Sequence, residues 1–113
     1  AKNAAATLGC DVSMELRPGY PPTLNHESDA LFARDIITGM LGADGLETSM
    51  TPVMGAEDFS FMLEKKPGAY IWLGAGLQSE NLHSPHFDFN DDLLPIGASF
   101  WVQLAQSKLT QST

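Results

Sequence analysis

Residues 69–73 read Ala69-Tyr70-Ile71-Trp72-Leu73, a continuous apolar run of strand length closed by Gly68 on one side and Gly74 on the other. With no polar residue alternating through it, the run fits a strand buried on both faces, as in a sheet covered by helices. Working outward, Pro67-Gly68 stops a short helix that Glu57 and Asp58 open, with Phe59, Met62 and Leu63 at helical spacing and Lys65 and Lys66 at its C-terminal end, where the helix dipole favours cations. Further upstream, Leu31, Phe32, Ile36, Ile37, Met40 and Leu41 form an apolar stripe of helical period. Asn25 is placed to cap that helix, Glu27 and Asp29 lie in its first turn, and Gly42 ends it. Residues 46–51 make a weaker strand pattern.

Downstream of the run, residues 74–91 carry no apolar period and read as a long loop. A final helix is expected from Leu93 to Leu109, with Asp91 or Asp92 near its start and Ile96, Phe100, Trp101, Leu104 and Ala105 on its buried face. At the other end, Val12, Met14 and Leu16 alternate with Asp11, Ser13, Glu15 and Arg17, as in a strand with one wet face. Pro18-Gly19-Tyr20-Pro21-Pro22 follows as a linker. The first residues, Ala1 to Leu8, read as the last turns of a helix closed by Gly9, which suggests a piece of a longer polypeptide; a native start with a processed Met is the alternative. Helices alternating with strands around one fully apolar strand indicate an α/β layer architecture.

Composition narrows the function classes. The 113 residues carry 14 acidic and 6 basic side chains, a net charge of −8, which argues against nucleic acid and anionic membranes as partners. No apolar run approaches the roughly 20 residues that span a bilayer. A single cysteine, Cys10, forms no internal disulfide and fits a reducing compartment, the cytoplasm.

Chemistry-bearing residues concentrate in Leu82-His83-Ser84-Pro85-His86-Phe87-Asp88-Phe89-Asn90-Asp91, after the apolar run, where open α/β sheets place ligands. Imidazole is a standard ligand for zinc and similar ions. Two histidines do not close a site, and by spacing alone a solvated surface loop is the plainer reading. Asp88, Asn90 and Asp92 imitate a calcium loop, but Leu93 and Ser99 stand where Gly and Glu are required. Gly55-Ala56-Glu57-Asp58-Phe59 is a glycine-led turn into a helix that could face an anionic substrate group or simply cap the helix. Gly74-Ala75-Gly76 lacks the context of a dinucleotide fingerprint, and neither Ser60 nor Ser84 has a visible base.

Taken together, Gly55-Ala56-Glu57-Asp58-Phe59-Ser60, Pro67-Gly68-Ala69-Tyr70-Ile71-Trp72-Leu73-Gly74, Leu82-His83-Ser84-Pro85 and Glu15-Leu16-Arg17-Pro18-Gly19-Tyr20-Pro21-Pro22-Thr23-Leu24-Asn25 resemble the C-terminal part of a metal-dependent amidohydrolase family. That family contains the hippurate hydrolases, N-acyl-amino-acid amidohydrolases and auxin-conjugate hydrolases. The resemblance implies a catalytic domain with a central sheet covered by helices. It also implies an inserted smaller domain that caps the site and dimerises, so a homo-oligomer is expected. Residues 1–22 would be the end of the inserted domain, its last helix and strand, with the linker; residues 23–113 would be the C-terminal part of the catalytic domain. It implies a divalent metal, zinc, manganese or similar, with His83 of the Leu-His-x-Pro motif as a ligand. It leaves His86 unassigned and gives Gly55, Glu57 and Asp58 as substrate-binding or supporting residues. The other ligands and the catalytic glutamate of the family have no counterpart in this chain, and Cys10 is not the ligand cysteine. The expected function is therefore a part of an amidohydrolase acting on N-acyl amino acids, inactive in isolation. A stand-alone binding or interaction module built on the same fold piece is the alternative.

Overall fold

The computed structural model describes residues 1–110. Four helices follow one another: α1 (Lys2–Thr7), α2 (Glu27–Leu41), α3 (Phe59–Leu63) and α4 (Leu93–Thr110), with a 3-10 turn at Ala43–Gly45 after α2. None of them is long and apolar enough to cross a membrane. Gly9 and Gly42 both stand directly beyond helix ends at positive φ, +66° and +76°, the left-handed conformation that lets a chain leave a helix. The turn after α2 also needs a glycine for space, since a Cβ on Gly45 would lie 2.6 Å from Leu41 Cβ.

No strand occurs among the described residues, so the expected central sheet, and with it the α/β architecture and the strand of a smaller domain, is wrong for this chain. The three runs 11–17, 46–51 and 69–73 have strand patterns but no strand beside them. An apolar pattern selects extended backbone locally, whereas a strand exists only where a neighbouring backbone completes the ladder. The face expected to be buried in 11–17 is in the open, with Leu16 83% exposed, and Glu15 and Arg17 pair at the surface at 2.7 Å. In 69–73 the ladder is begun by a side chain, as described below.

What organises the chain is the packing of α2 against α4, with Ala33 of α2 and Leu93 and Phe100 of α4 buried. The stripe on α2 is half-covered at Phe32, Ile36, Ile37 and Met40, while Leu31 and Leu41 are exposed. On α4 the expected buried face holds for Phe100, but Trp101 is 65% exposed. α4 starts through Asn90 rather than Asp91 or Asp92: Asn90 Oδ1 accepts the Asp92 N–H at 3.1 Å, and its carbonyl accepts the Leu93 N–H at 3.1 Å. Pro95 falls in the first turn of α4, where its missing N–H breaks no helical bond. Near α3, Leu63 and Ser60 are buried, and the Tyr20 ring meets Phe61 with centroids 5.5 Å apart.

The result is an open molecule. Its radius of gyration is 20.5 Å, against about 13 Å for a compact domain of this length. Its accessible surface is 9725 Å², against roughly 6,100 Å² for a compact monomer of this mass. A groove of about 1030 Å³ opens between α2, the 70–76 segment and α4, lined by Leu31, Ile37, Trp72, Leu73, Phe100 and Trp101 among others.

Candidate functional site

The site is built from the start of α2. His26, not Asn25, stands at the cap position, and its side chain makes no capping bond. Asn25 is thereby free to turn its amide onto the apolar run. Its Nδ2 donates to the Tyr70 carbonyl at 2.9 Å, and the Tyr70 N–H donates to Asn25 Oδ1 at 2.7 Å. A side-chain amide thus does for Tyr70 what an antiparallel neighbour does in a narrow pair. Beside it, the His26 N–H donates to the Gly68 carbonyl at 3.0 Å, and the Gly68 N–H donates to His26 Nδ1 at 3.3 Å. That last bond requires an unprotonated Nδ1, so the neutral ring carries its hydrogen on Nε2.

Four hydrogen bonds therefore hold residues 68–70, and the Tyr70 ring is set in place between Phe59 at 5.5 Å and Trp72 at 6.4 Å. Its hydroxyl donates to Glu57 Oε2 at 2.9 Å. The other carboxylate oxygen, Oε1, accepts the Phe59 N–H at 3.2 Å. The Glu57 carbonyl accepts the buried Ser60 hydroxyl at 2.6 Å. The Phe59 N–H and the Tyr70 hydroxyl hold the Glu57 carboxyl below its ordinary range, because both bonds favour the charged form. The same bond raises the Tyr70 hydroxyl, which would have to ionise beside a carboxylate.

Both oxygens of Glu57 are engaged within the chain, so Glu57 braces the 55–58 turn against the apolar run. Gly55 is exposed on that turn. Asp58 precedes α3 without capping it and is likewise exposed. The sequence singles out Glu57 as a substrate-binding or supporting residue; the bonds it makes to the Phe59 N–H and the Tyr70 hydroxyl, and the Asn25 amide behind Tyr70, have no counterpart in that reading. The signal was present: a tyrosine inside an apolar run must find a partner for its hydroxyl, and an acid-bearing turn lies thirteen residues upstream.

His83 sits in a different setting. The Ser84 N–H donates to the Asn81 carbonyl at 3.0 Å, closing a turn whose third residue is His83. Its φ is +70°, and it alone among the described non-glycine residues has a positive φ. A turn of this kind takes glycine there freely; histidine adopts it at about 1–2 kcal/mol. The next turn is closed by the Phe87 N–H on the Ser84 carbonyl at 3.1 Å, with the His86 N–H on Ser84 Oγ at 3.2 Å. Both histidines are exposed. Asn90 ties this loop to the apolar run through its Nδ2 on the Ala75 carbonyl at 3.3 Å.

A metal ion of the kind the family resemblance implies needs three or four protein donors. Among the described residues no three of His, Cys, Asp and Glu converge to hold one. His83 can offer a single imidazole, and the donor set present does not complete a site. Asp88, Asn90 and Asp92 form no cation loop either, since Asn90 is spent on starting α4 and on Ala75.

Comparison with known proteins gives a consistent answer. The chain is 37% identical over 100 residues to IAA-amino acid hydrolase ILR1-like 5 of Arabidopsis thaliana, covering 85% of this chain and 23% of that protein. It is 36% identical over 107 residues to hippurate hydrolase of Campylobacter jejuni, covering 92% and 27%. It is 35% identical over 97 residues to N-acetyldiaminopimelate deacetylase of Streptococcus suis, covering 84% and 25%. The chain thus spans about a quarter of the length of these relatives. No solved structure matches it. The family model for peptidases M20/M25/M40 aligns with residues 3–107. That span takes in the braced turn, the apolar run and the His83 loop alike, and the chain belongs to the M20/M25/M40 peptidase family.

Proposed function

We propose that this chain is the C-terminal part of a metal-dependent hydrolase that cleaves the amide bond of N-acyl amino acids, and that it is inactive by itself. The observation that carries the reading is the family match through residues 3–107, with relatives named as hydrolases of an amino-acid conjugate and of hippurate and as a deacetylase. The strained, exposed conformation of His83 supports its role as one ligand of a divalent ion such as zinc or manganese. Strain of this kind persists where the surroundings impose it, and it clusters at functional sites. Because the donors here do not complete a site, no step of the reaction is assigned to the chain's own residues. Gly55 and Asp58 would border the substrate, and Glu57 would fix their turn. The intact enzyme would be cytoplasmic and homo-oligomeric, with a small molecule rather than nucleic acid or membrane as its partner. A stand-alone binding module is the weaker reading, because a surface of 9725 Å² leaves too much apolar area uncovered for an independent unit of this mass.

The test is hydrolysis of a panel of N-acyl amino acids by the intact protein and by the 113-residue chain, each supplied with zinc or manganese. Turnover by the intact protein alone is expected. Turnover by the isolated chain, or none by the intact protein on any member of the panel, overturns the proposal.

A further inference from the structure

The 55–58 turn is tied to the rest of the chain at one point. Val53 and Met54 before it are exposed, and so are Gly55, Ala56 and Asp58, so burial does not fix where the turn lies. Most of its hydrogen bonds are local. The Phe59 N–H and the Ser60 hydroxyl return to Glu57, and the Phe61 N–H returns to the Asp58 carbonyl. Among the described residues a single hydrogen bond leaves the turn for a distant segment, from the Tyr70 hydroxyl to Glu57 Oε2 at 2.9 Å. The far end of that bond is anchored. The Asn25 amide takes both the Tyr70 N–H and the Tyr70 carbonyl. Gly68, two residues away, is paired with His26, and the Tyr70 ring lies against Phe59 and Trp72.

We infer that Tyr70 is a positioning residue for the substrate: its hydroxyl, acting through Glu57, sets where Gly55 and Asp58 stand against the bound molecule. The inference rests on the reading that these two residues border an N-acyl amino acid. Without the hydroxyl, the turn keeps its local bonds but samples positions that do not meet the substrate. A molecule that binds one of several sampled positions binds more weakly in proportion to the population of that position. Once the substrate is bound the turn is in place, and the chemical step is unaltered. The loss therefore falls on KM and spares kcat.

The test compares the intact protein with its Tyr70→Phe, Glu57→Ala and doubly substituted variants in steady-state hydrolysis of the N-acyl amino acid panel. Bound metal is measured on the same samples, and hydrogen exchange of the 53–58 peptide is followed by mass spectrometry. Tyr70→Phe keeps the ring and the Asn25 bonds and removes only the hydroxyl. It is expected to raise KM by about fivefold to tenfold while kcat stays within about twofold. Bound metal should be unchanged, and exchange should quicken in 53–58 but not in α4. Because the hydroxyl acts through Glu57, adding Tyr70→Phe to Glu57→Ala should raise KM no further. With an active wild type, the inference alone is overturned by any of four results in Tyr70→Phe or the double variant: an unmoved KM, a loss in kcat or bound metal, unchanged exchange in 53–58, or additive losses. A wild type that hydrolyses no member of the panel overturns the N-acyl amino acid reading and this inference with it, and is recognised before any variant is made.

Discussion

Removing the Asn25 amide should release the apolar run from α2. Asn25→Ala deletes two hydrogen bonds of good length, 2.9 Å from Nδ2 to the Tyr70 carbonyl and 2.7 Å from the Tyr70 N–H to Oδ1. A hydrogen bond contributes about 0.5–1.5 kcal/mol net, and the pair sets an upper bound of about 3 kcal/mol. Asn25 is exposed, so water replaces part of what is lost, and a loss of about 1 kcal/mol is the sounder expectation. That corresponds to roughly a fivefold to tenfold fall in protection of the Tyr70 amide. Native-state hydrogen exchange at neutral pH, read at Tyr70 with Ala33 in α2 as internal reference, measures it. Asn25→Asp is the sharper variant. It keeps an acceptor for the Tyr70 N–H but turns the donor facing the Tyr70 carbonyl into a second oxygen, so at neutral pH it should protect Tyr70 no better than alanine. It should recover part of the protection as acid protonates it. If Asn25→Ala leaves Tyr70 exchange unchanged, or if Asn25→Asp matches the wild type at neutral pH, the amide bridge does not hold the segment.

Two glycine-to-alanine substitutions should act in opposite directions in urea unfolding. Gly45→Ala drives a Cβ to 2.6 Å from Leu41 Cβ and should destabilise by about 1–3 kcal/mol. Gly97→Ala lies inside α4, meets Leu73 Cδ2 only at 3.6 Å, and should stabilise by about 0.5–1 kcal/mol. Tyr70→Phe removes a donor from Glu57, so the Glu57 carboxyl should titrate higher in a carbon-detected pH series. The folded carboxyl lies below its ordinary value near 4.5. Its stabilisation is therefore complete above that pH and lost as the pH falls through the folded value, and Tyr70→Phe should flatten that acid-side loss. Phe100→Ala empties a position that is 7% exposed at the α2–α4 contact. It should cost about 3 kcal/mol, the lower end for such truncations because the adjoining groove is open; an effect near zero would mean that this packing does not organise the chain.

The helices were legible because their signals are local. Acids in the first turn and Gly42 at the end bracket α2 within one or two residues, and Pro67-Gly68 ends the turn after α3. That the expected strands do not form among the described residues was not legible, because a strand is a relation between two segments. Ala69 to Leu73 states that it is apolar and extended; no residue in it states which backbone lies alongside. The brace at the site was half legible. Glu57 announces itself beside Gly55, whereas its supports come from 13 and 45 residues away, Tyr70 on Glu57 and Asn25 on Tyr70. Such spacings leave no period to read. Asn25 carried the opposite expectation, since an asparagine before a helix ordinarily caps it. Here the longer-range bond to Tyr70 takes its side chain instead. The strain at His83 was likewise hidden, because a left-handed histidine has no sequence signature beyond the turn in which it stands.

The proposed role of His83, one ligand of a metal centre that the described residues do not complete, has a direct test. Metal content of the intact protein after dialysis against zinc or manganese, compared with its His83→Ala variant, tests it most directly, with hydrolysis of an N-acyl amino acid measured on the same samples. Retained fold, a loss of bound metal of at least about tenfold in affinity and abolished turnover in His83→Ala are the predicted result. Full metal content with near-normal turnover in that variant would contradict it.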